Sequence, residues 1–335
     1  MTEMRHIITH LTSHKTLSSE EAKQILSDIA NGKYSEVEMA SFLTIFLMRS
    51  ITVEELSGFR DALLEHCLRI DLQQENLIDL CGTGGDGKDT FNISTLASFV
   101  TAGAGAKVAK HGNYGVSSSC GSSNILEHFG YKFTNNQDNL RKQVTEAGIC
   151  FLHAPLFNPA MKNVAPVRRA LRVKTFFNML GPMVNPAFPN KQLVGVFSLD
   201  LARLYGYIYQ KSSKEFVILH SLDGYDEISL TGAFKTISNK AEQLIKPEDL
   251  GIATLNQDEI KGGTGVEDSA VIFENILNGK GSKAQNNVVC VNAAYAIQTY
   301  FGKSFDESFE MAKESLLSGK AKKAFEKLIE VSKEI

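Results

Sequence analysis

From Leu77 onward, the chain alternates short apolar runs with glycine-rich turns and helical patterns. In chain order the runs read LIDLC, AKVAK, ICFLHA, LVGVF and EFVILH. Short apolar runs that alternate with helical stretches are typical of buried parallel strands joined by crossover helices. This pattern predicts an α/β fold with a mostly parallel central sheet.

The first seventy residues carry helical signals instead. Three pairs match the capping box with which many helices begin: Ser18 with Glu21, Ser35 with Glu38, and Thr52 with Glu55. Apolar residues at helical spacing predict a bundle core, part of which could instead form a subunit interface: Met39, Leu43, Phe46 and Leu47. Helical patterns return after Glu267, where Ser304 with Glu307 forms a further capping box.

A chain of 335 residues favours two domains over a single unit. We expect a small all-helical N-terminal domain over residues 1–72 and a larger α/β domain over 73–335. The segment 158–190 is rich in Pro and Asn around the helical pattern NVAPVRRALRVK. Part of it is expected to return the chain to the helical domain.

The composition excludes several classes of function. A net charge of -3 argues against a protein that coats nucleic acid, because such binding neutralises many phosphates with Lys and Arg. The five cysteines are odd in number and include no CxxC pair, so we expect reduced thiols. The N-terminus MTEMRHIITHL lacks the apolar core of a secretory signal, and no apolar run approaches the ~20 residues of a membrane helix. These features predict a cytoplasmic protein that binds neither nucleic acid nor membrane.

The densest glycine cluster, GTGGDGKDTFNIST, follows the first apolar run. Its G-x-x-x-x-G-K segment is not a P-loop, because Asp89 stands where a P-loop needs a hydroxyl for magnesium. Its G-x-G-x-x-G segment does not indicate a dinucleotide site, because the second strand ends in Lys110 and His111 rather than in an acid. Ser94 and Thr95 are the better helix N-caps. The loop is therefore expected to offer backbone N–H groups and a helix dipole to a large anion.

Two more polar clusters follow later strands. KHGNYGVSSSCGSSN, residues 110–124, combines a cation, an amide and hydroxyls, and Gly121 with Ser122 begins a further helix. Because neighbouring strand ends share one crevice in an open α/β sheet, both loops could contact a ligand with two separated phosphates. Asp223, Asp226 and Glu227 follow EFVILH, and carboxylates beside phosphate groups are typical ligands of Mg2+.

Five motifs together resemble the anthranilate phosphoribosyltransferase family in order and spacing: GTGGDGKDTFNIST, AKHGN, SSSCGSSNILE, NPAMKNVAPVRRALRVKTFFNMLGPMVNP and DGYDEIS. The resemblance covers essentially the whole chain. It implies a fold of the nucleoside phosphorylase/phosphoribosyltransferase type and a homodimer formed through the helical domain. It also implies an enzyme of tryptophan biosynthesis that condenses anthranilate with phosphoribosyl pyrophosphate in the presence of Mg2+.

The resemblance also implies roles for individual residues. It assigns contacts with phosphoribosyl pyrophosphate to Gly82, Gly85, Asp86, Thr90, Asn92, Ile93, Ser94, Thr95, Lys110, His111, Gly112, Asn113, Ser117, Ser118 and Ser122. It assigns contacts with anthranilate to Gly82, Asn113 and Arg168. It assigns the metal to Ser94, Asp226 and Glu227. No residue is assigned as a general base, because an aromatic amine is already neutral at physiological pH.

The sequence departs from the family pattern at several positions. Tyr114, Ser119, Asn124 and Asn158 stand where the family usually has Arg, Lys, Asp and His, and Arg172 and Lys174 where it has Gly and Arg. Two departures remove positive charge from the second loop, so affinity for the donor or loop closure is expected to differ. Two alternatives stay open: a pyrimidine nucleoside phosphorylase, and a non-enzymatic nucleic-acid-binding relative.

Overall fold

The structure is a computed structural model that describes residues 3–115 and 119–334. Ser117 and Ser118, both expected to contact the donor, lie outside the described residues. The helices are α1 (Met4–Thr12), α2 (Ser19–Ala30), α3 (Glu36–Met48), α4 (Val53–His66), α5 (Ile93–Gly103), α6 (Ser122–His128), α7 (Gln137–Ala147), α8 (Ala154–Phe157), α9 (Met161–Leu171), α10 (Phe177–Leu180), α11 (Leu199–Gln210), α12 (Val266–Leu277), α13 (Lys283–Phe301), α14 (Phe305–Leu317) and α15 (Lys320–Ser332). The strands are β1 (Ile78–Gly82), β2 (Val108–Gly112), β3 (Ile149–His153), β4 (Lys191–Gly195), β5 (Glu215–Ser221), β6 (Phe234–Ser238) and β7 (Glu242–Ile245).

The chain divides into two compact units. The first comprises Met1–Arg69 and Ala154–Pro186, and the second Ile70–His153 and Ala187–Ile335. All regular elements of the first unit are helical, in the part of it that the structure describes. The helix starts predicted at Ser18, Ser35 and Thr52 are confirmed, because each forms a complete capping box at the start of α2, α3 and α4.

Aromatic residues join the two segments of the first unit. Phe42, Phe46 and Phe59 come from α3 and α4, and all three pack around Phe176 of the second segment. The Phe59 and Phe176 rings stack with their centroids 4.4 Å apart. Leu47 does not belong to this core, since 43 % of it is exposed. Of the predicted stripe, Met39, Leu43 and Phe46 are buried, which leaves Leu47 to the alternative of a subunit interface.

The second unit is built on one seven-stranded sheet of order β3-β2-β1-β4-β5-β6-β7. Strands β1 to β5 are parallel, and β6 and β7 add an antiparallel edge. The predicted mostly parallel sheet is confirmed. Because the five strands run the same way, β1, β2, β4 and β5 end at the same edge, at Gly82, Gly112, Gly195 and Ser221.

Helices α5, α7, α11 and α13 pack against this sheet. Helices α5 and α13 are buried along most of their length and contact each other. All five cysteines are buried and free of disulfides. Among residues 3–115 and 119–334, every helix is too short or too polar to cross a membrane.

Helix α9 is followed by Arg172, which has a φ of 53°, in the left-handed region. Glycine adopts this conformation without steric cost, which accounts for the glycine of the family pattern. We expect Arg172→Gly to raise the free energy of unfolding by about 0.5 to 1 kcal/mol, measured by urea denaturation.

Gly148 supplies the reverse control, because it ends α7 with a φ of 75°. Gly148→Ala should lower the free energy of unfolding by about 1 kcal/mol. A destabilised Arg172→Gly variant would contradict this account of the helix end.

Candidate metal and phosphate site

The first glycine loop connects β1 to α5. Gly84, Gly85 and Gly87 have φ values of 62°, 77° and 73°, so each uses a backbone conformation that side chains disfavour. The backbone N–H of Lys88 donates to Asp86 Oδ1 over 3.1 Å, which fixes the Asp86 carboxylate within the loop. Thr90 forms an isolated bridge with Lys261 at the far end of the loop.

Helix α5 begins at Ile93 with Asn92 as its N-cap, so the predicted caps Ser94 and Thr95 are wrong. Ile93 and Thr95 belong to the first turn of the helix, where their side chains are buried. Instead of capping the helix, the Asn92 amide donates to the carbonyl of Cys120 over 3.0 Å and connects the two polar loops. With their side chains buried, Ile93 and Thr95 can contact a ligand mainly through the backbone.

The acidic turn after β5 docks on two strand ends. Asp226 Oδ2 accepts a 2.7 Å hydrogen bond from the backbone N–H of Gly84 in the first loop. A Cβ at Gly82 would collide with the Asp226 carboxylate, and a Cβ at Gly195 would collide with the Asp226 carbonyl. Glycine at the ends of β1 and β4 therefore lets the acidic turn approach the sheet.

Asp86, Asp226 and Glu227 form one carboxylate cluster, in which the three ligand oxygens lie within 4.8 Å of one another. Burial, together with the charge of Asp86, raises the pKa of Asp226 to about 6. Burial and the neighbouring Asp226 also raise the pKa of Glu227 well above its ordinary value. Asp86 Oδ2 is buried and has no hydrogen-bond partner within residues 3–115 and 119–334.

This cluster fits a hard divalent cation, since carboxylate oxygens are the ligands that Mg2+ prefers. The sequence prediction assigned the metal to Ser94, Asp226 and Glu227. Ser94 lines the same cavity as the two acids. Asp86, which was expected to contact the donor, is the third carboxylate of the cluster.

Two buried polar residues hold the acidic turn from behind. Ser221 Oγ donates to the Glu227 carbonyl over 2.7 Å. Asn292 Oδ1 accepts from the Ile228 N–H over 3.1 Å, and its amide donates to the Ile228 carbonyl over 2.9 Å. Asn292 was not predicted, although an Asn within the apolar stretch VVCVNAAYA of α13 is a visible signal.

Lys110 and His111 lie at the end of β2 and are buried. Lys110 Nζ donates to the Leu80 carbonyl over 2.6 Å, and burial lowers the pKa of this lysine. The backbone N–H of His111 donates to Asp79 Oδ1 over 3.1 Å. The buried Lys110 ammonium is therefore held against β1, and a phosphate contact would use one of its remaining N–H groups.

The second loop begins with a close approach between β2 and α6. A Cβ at Gly112 would collide with Ser122 Oγ of α6 and would lie 2.6 Å from the Phe151 ring of β3, so glycine is required there. The Asn113 carbonyl accepts from the Ser123 N–H over 3.1 Å and from Ser122 Oγ over 3.2 Å. These contacts fix Asn113 at the start of α6.

Three departures from the family pattern have defined contacts in this loop. Tyr114 packs edge-on against His153 with ring centroids 5.0 Å apart. The Ser119 N–H donates to Asp89 Oδ1 over 3.1 Å, which adds a second connection to the first loop. Asn124 Oδ1 accepts from the N–H groups of Gly115 and Gly121, each over 3.0 Å.

Arg168 belongs to the first unit and lies near the end of α9. Its Nη2 donates to Asn178 Oδ1 over 3.3 Å, and its guanidinium carbon lies 5.4 Å from the centroid of the Phe177 ring. Burial lowers its pKa. Asn158, in the same unit, donates to the Ala154 carbonyl over 3.2 Å.

Comparisons with known proteins agree with both parts of the fold. Residues 5–67 match the helical bundle domain of a glycosyl transferase family, and residues 74–322 match its a/b domain. The anthranilate phosphoribosyltransferase of Flavobacterium johnsoniae is 64% identical over 98% of this chain and 100% of its own length.

Two solved structures are also similar. The anthranilate phosphoribosyltransferase of Thermus thermophilus has 31% identity and a TM-score of 0.90, over 97% of this chain and 98% of its own. The Saccharomyces cerevisiae enzyme in complex with PRPP and Mg has 27% identity and a TM-score of 0.91, over 99% of this chain and 98% of its own.

The role of Asn292 can be tested through Mg2+ binding. Asn292→Ala leaves the Ile228 N–H without its partner and frees the turn that carries Glu227. We expect the Mg2+ dissociation constant to rise about tenfold, and the rise in Tm caused by Mg2+, alone or with pyrophosphate, to shrink accordingly.

Asn286→Ala on the same helix is the matched control, because Asn286 donates to the Gly281 carbonyl instead. It should keep the full Mg2+ effect on Tm. If both variants showed the same Mg2+ effect, Asn292 would not position the acidic turn.

Proposed function

The chain belongs to the anthranilate phosphoribosyltransferase family, and we propose that it transfers the phosphoribosyl group of phosphoribosyl pyrophosphate to the amine of anthranilate in tryptophan biosynthesis. The observation that carries this proposal is the meeting of both polar loops with the three carboxylates at one edge of the sheet. The identity to its relatives favours this reaction over nucleoside phosphorolysis. The acidic net charge gives no support to a nucleic-acid-binding role.

In the proposed reaction the acceptor nitrogen attacks C1 of the ribose from the face opposite the pyrophosphate. The C1–N bond forms, the C1–O bond breaks, and pyrophosphate leaves with the bonding electron pair. The nitrogen then loses a proton to solvent. Developing charge must be stabilised on the leaving pyrophosphate, so the site needs aligned donors more than an acid or a base.

The first loop and the start of α5 supply such donors. The N-terminal turn of α5 presents backbone N–H groups that have no partner within the helix, and the positive end of its dipole. We assign the donor site to Gly82, Gly85, Asp86, Thr90 and Asn92–Thr95 in this loop, and to Lys110–Asn113, Ser117, Ser118 and Ser122 in the second. Asp86, Asp226 and Glu227, with Ser94 nearby, would hold Mg2+. When bound, Mg2+ supplies positive charge to the pyrophosphate oxygens.

We assign the acceptor site to Arg168, Asn113 and Gly82. Arg168 has the planar fork that recognises a carboxylate through two parallel hydrogen bonds. Its partial burial reduces competition from water, which strengthens a charged hydrogen bond. Orienting the anthranilate carboxylate in this way would direct its amine towards the ribose.

Arg168→Ala tests the acceptor assignment. Loss of a charged hydrogen bond costs about 1.5 to 3 kcal/mol, so KM for anthranilate should rise at least about tenfold. KM for phosphoribosyl pyrophosphate should change much less. Loss of anthranilate fluorescence, with phosphoribosyl pyrophosphate and Mg2+ present, measures both constants.

Arg169→Ala is the matched control, since Arg169 is the next residue of α9 and is exposed. It should leave anthranilate saturation unchanged. An Arg168→Ala enzyme that saturates with anthranilate as the wild type does would remove Arg168 from the acceptor site. A wild-type protein inactive in this assay would refute the proposed function itself.

We further propose a cytoplasmic homodimer formed through the helical domain. Val37, Leu47 and Met48 of α3 support the interface, because 76 %, 43 % and 83 % of these apolar residues are exposed. We expect sedimentation equilibrium to give a dimer mass for the wild type and a smaller apparent mass for Met48→Glu. A monomeric wild type would refute the dimer, and cell fractionation would test the location.

A further inference from the structure

The two polar loops contain few cations for a donor that carries several phosphate charges. Residues 82–95 include one basic residue, Lys88, and residues 110–124 include only Lys110 and His111. Tyr114 and Ser119 stand where the family pattern has Arg and Lys. Most of the positive charge expected at a phosphate site is therefore missing from the second loop.

Neither basic residue of the second loop is well placed to replace the missing positive charge. Lys110 and His111 are 2% and 5% exposed, and the Lys110 ammonium is held by the Leu80 carbonyl. Burial leaves little of either side chain accessible to a ligand in the crevice. A more exposed cation nearby is therefore better placed to supply the missing charge.

Lys88 is partly exposed and lies beside the carboxylate cluster. Its backbone N–H donates to Asp86 Oδ1, so the base of the Lys88 side chain lies next to a proposed metal ligand. Its side chain crosses to the acidic turn, where Nζ lies 4.7 Å from the centroid of the Tyr225 ring. Tyr225 directly precedes Asp226.

The close approach of Lys88 to the acidic turn depends on Gly224. A Cβ at Gly224 would lie 3.2 Å from Lys88 Cε, a tight contact. Within the described residues Lys88 forms no ion pair, and the ring face of Tyr225 is its charge partner. A cation–π contact at a partly exposed site is weaker than a charged hydrogen bond, so the ammonium can be transferred to a stronger anionic partner.

We propose that the Lys88 ammonium contacts the pyrophosphate group of the donor and supplies charge that positions 114 and 119 lack. This inference rests on the proposed function for the identity of the donor. It adds a substrate-binding residue in the first loop, at the lysine of a G-x-x-x-x-G-K segment that is not a P-loop.

The test uses Lys88→Met and Lys88→Arg in the full chain. Isothermal calorimetry with pyrophosphate and Mg2+ measures binding without requiring turnover. For Lys88→Met we expect the dissociation constant of pyrophosphate and KM for phosphoribosyl pyrophosphate to rise about tenfold, the loss typical of one charged hydrogen bond. KM for anthranilate should stay within about twofold, and Lys88→Arg should retain most of the binding.

Lys214→Met is the matched control. Lys214 Nζ also lies over a tyrosine ring, 5.6 Å from the centroid of Tyr209. However, Lys214 directly precedes β5, so it lies at the amino end of the parallel strands, away from the proposed site. It should bind pyrophosphate as the wild type does. Circular dichroism melting checks that each variant is folded.

Equal pyrophosphate binding by Lys88→Met and the wild type would overturn the proposal, as would a wild type that does not bind pyrophosphate. If the wild type bound pyrophosphate through Lys88 but did not modify anthranilate, the proposed function would fail while the Lys88 contact stood.

Discussion

The structure of the site depends on packing three carboxylates against one another, one of them buried and two half-buried. Asp226 is 4% exposed, yet it lies beside Asp86 and Glu227 with their oxygens within 4.8 Å. Burial and repulsion raise the pKa of both Asp226 and Glu227, so this arrangement opposes folding unless a cation or protons neutralise it. The fold tolerates it because Gly82 and Gly195 leave room for the turn, and because buried amide and hydroxyl groups hold its backbone.

The strand order explains why distant parts of the sequence meet there. β1 lies between β2 and β4, so the chain leaves β1 in one direction and later returns on its other side. Such a switch point opens a crevice at the carboxyl ends of the strands. The loops after β1, β2 and β5 meet at this edge, and hydrogen bonds from Gly84, Asn92 and Ser119 connect them.

Local signals in the sequence predicted much of the fold. The capping boxes at Ser18, Ser35 and Thr52 lie within one helical turn, and the apolar runs of β1 to β5 are short and continuous, so both can be recognised without tertiary contacts. The motifs also identified the family and the acidic pair. By contrast, the helix start at Ile93, the third carboxylate and the support from Asn292 could not be predicted, because each depends on packing between segments far apart in sequence. The antiparallel edge, β6 and β7, was missed for the same reason.

The central claim is that Asp226 and Glu227 of the carboxylate cluster bind the metal that accompanies the donor. Crystals grown with Mn2+ and phosphoribosyl pyrophosphate would test it directly through anomalous diffraction. The account predicts one or more anomalous peaks within coordination distance of Asp226 and Glu227, roughly 2.0 to 2.3 Å for a hard cation of this size, with a pyrophosphate oxygen as a shared ligand. A fully occupied donor whose metal lies away from both carboxylates would contradict the account.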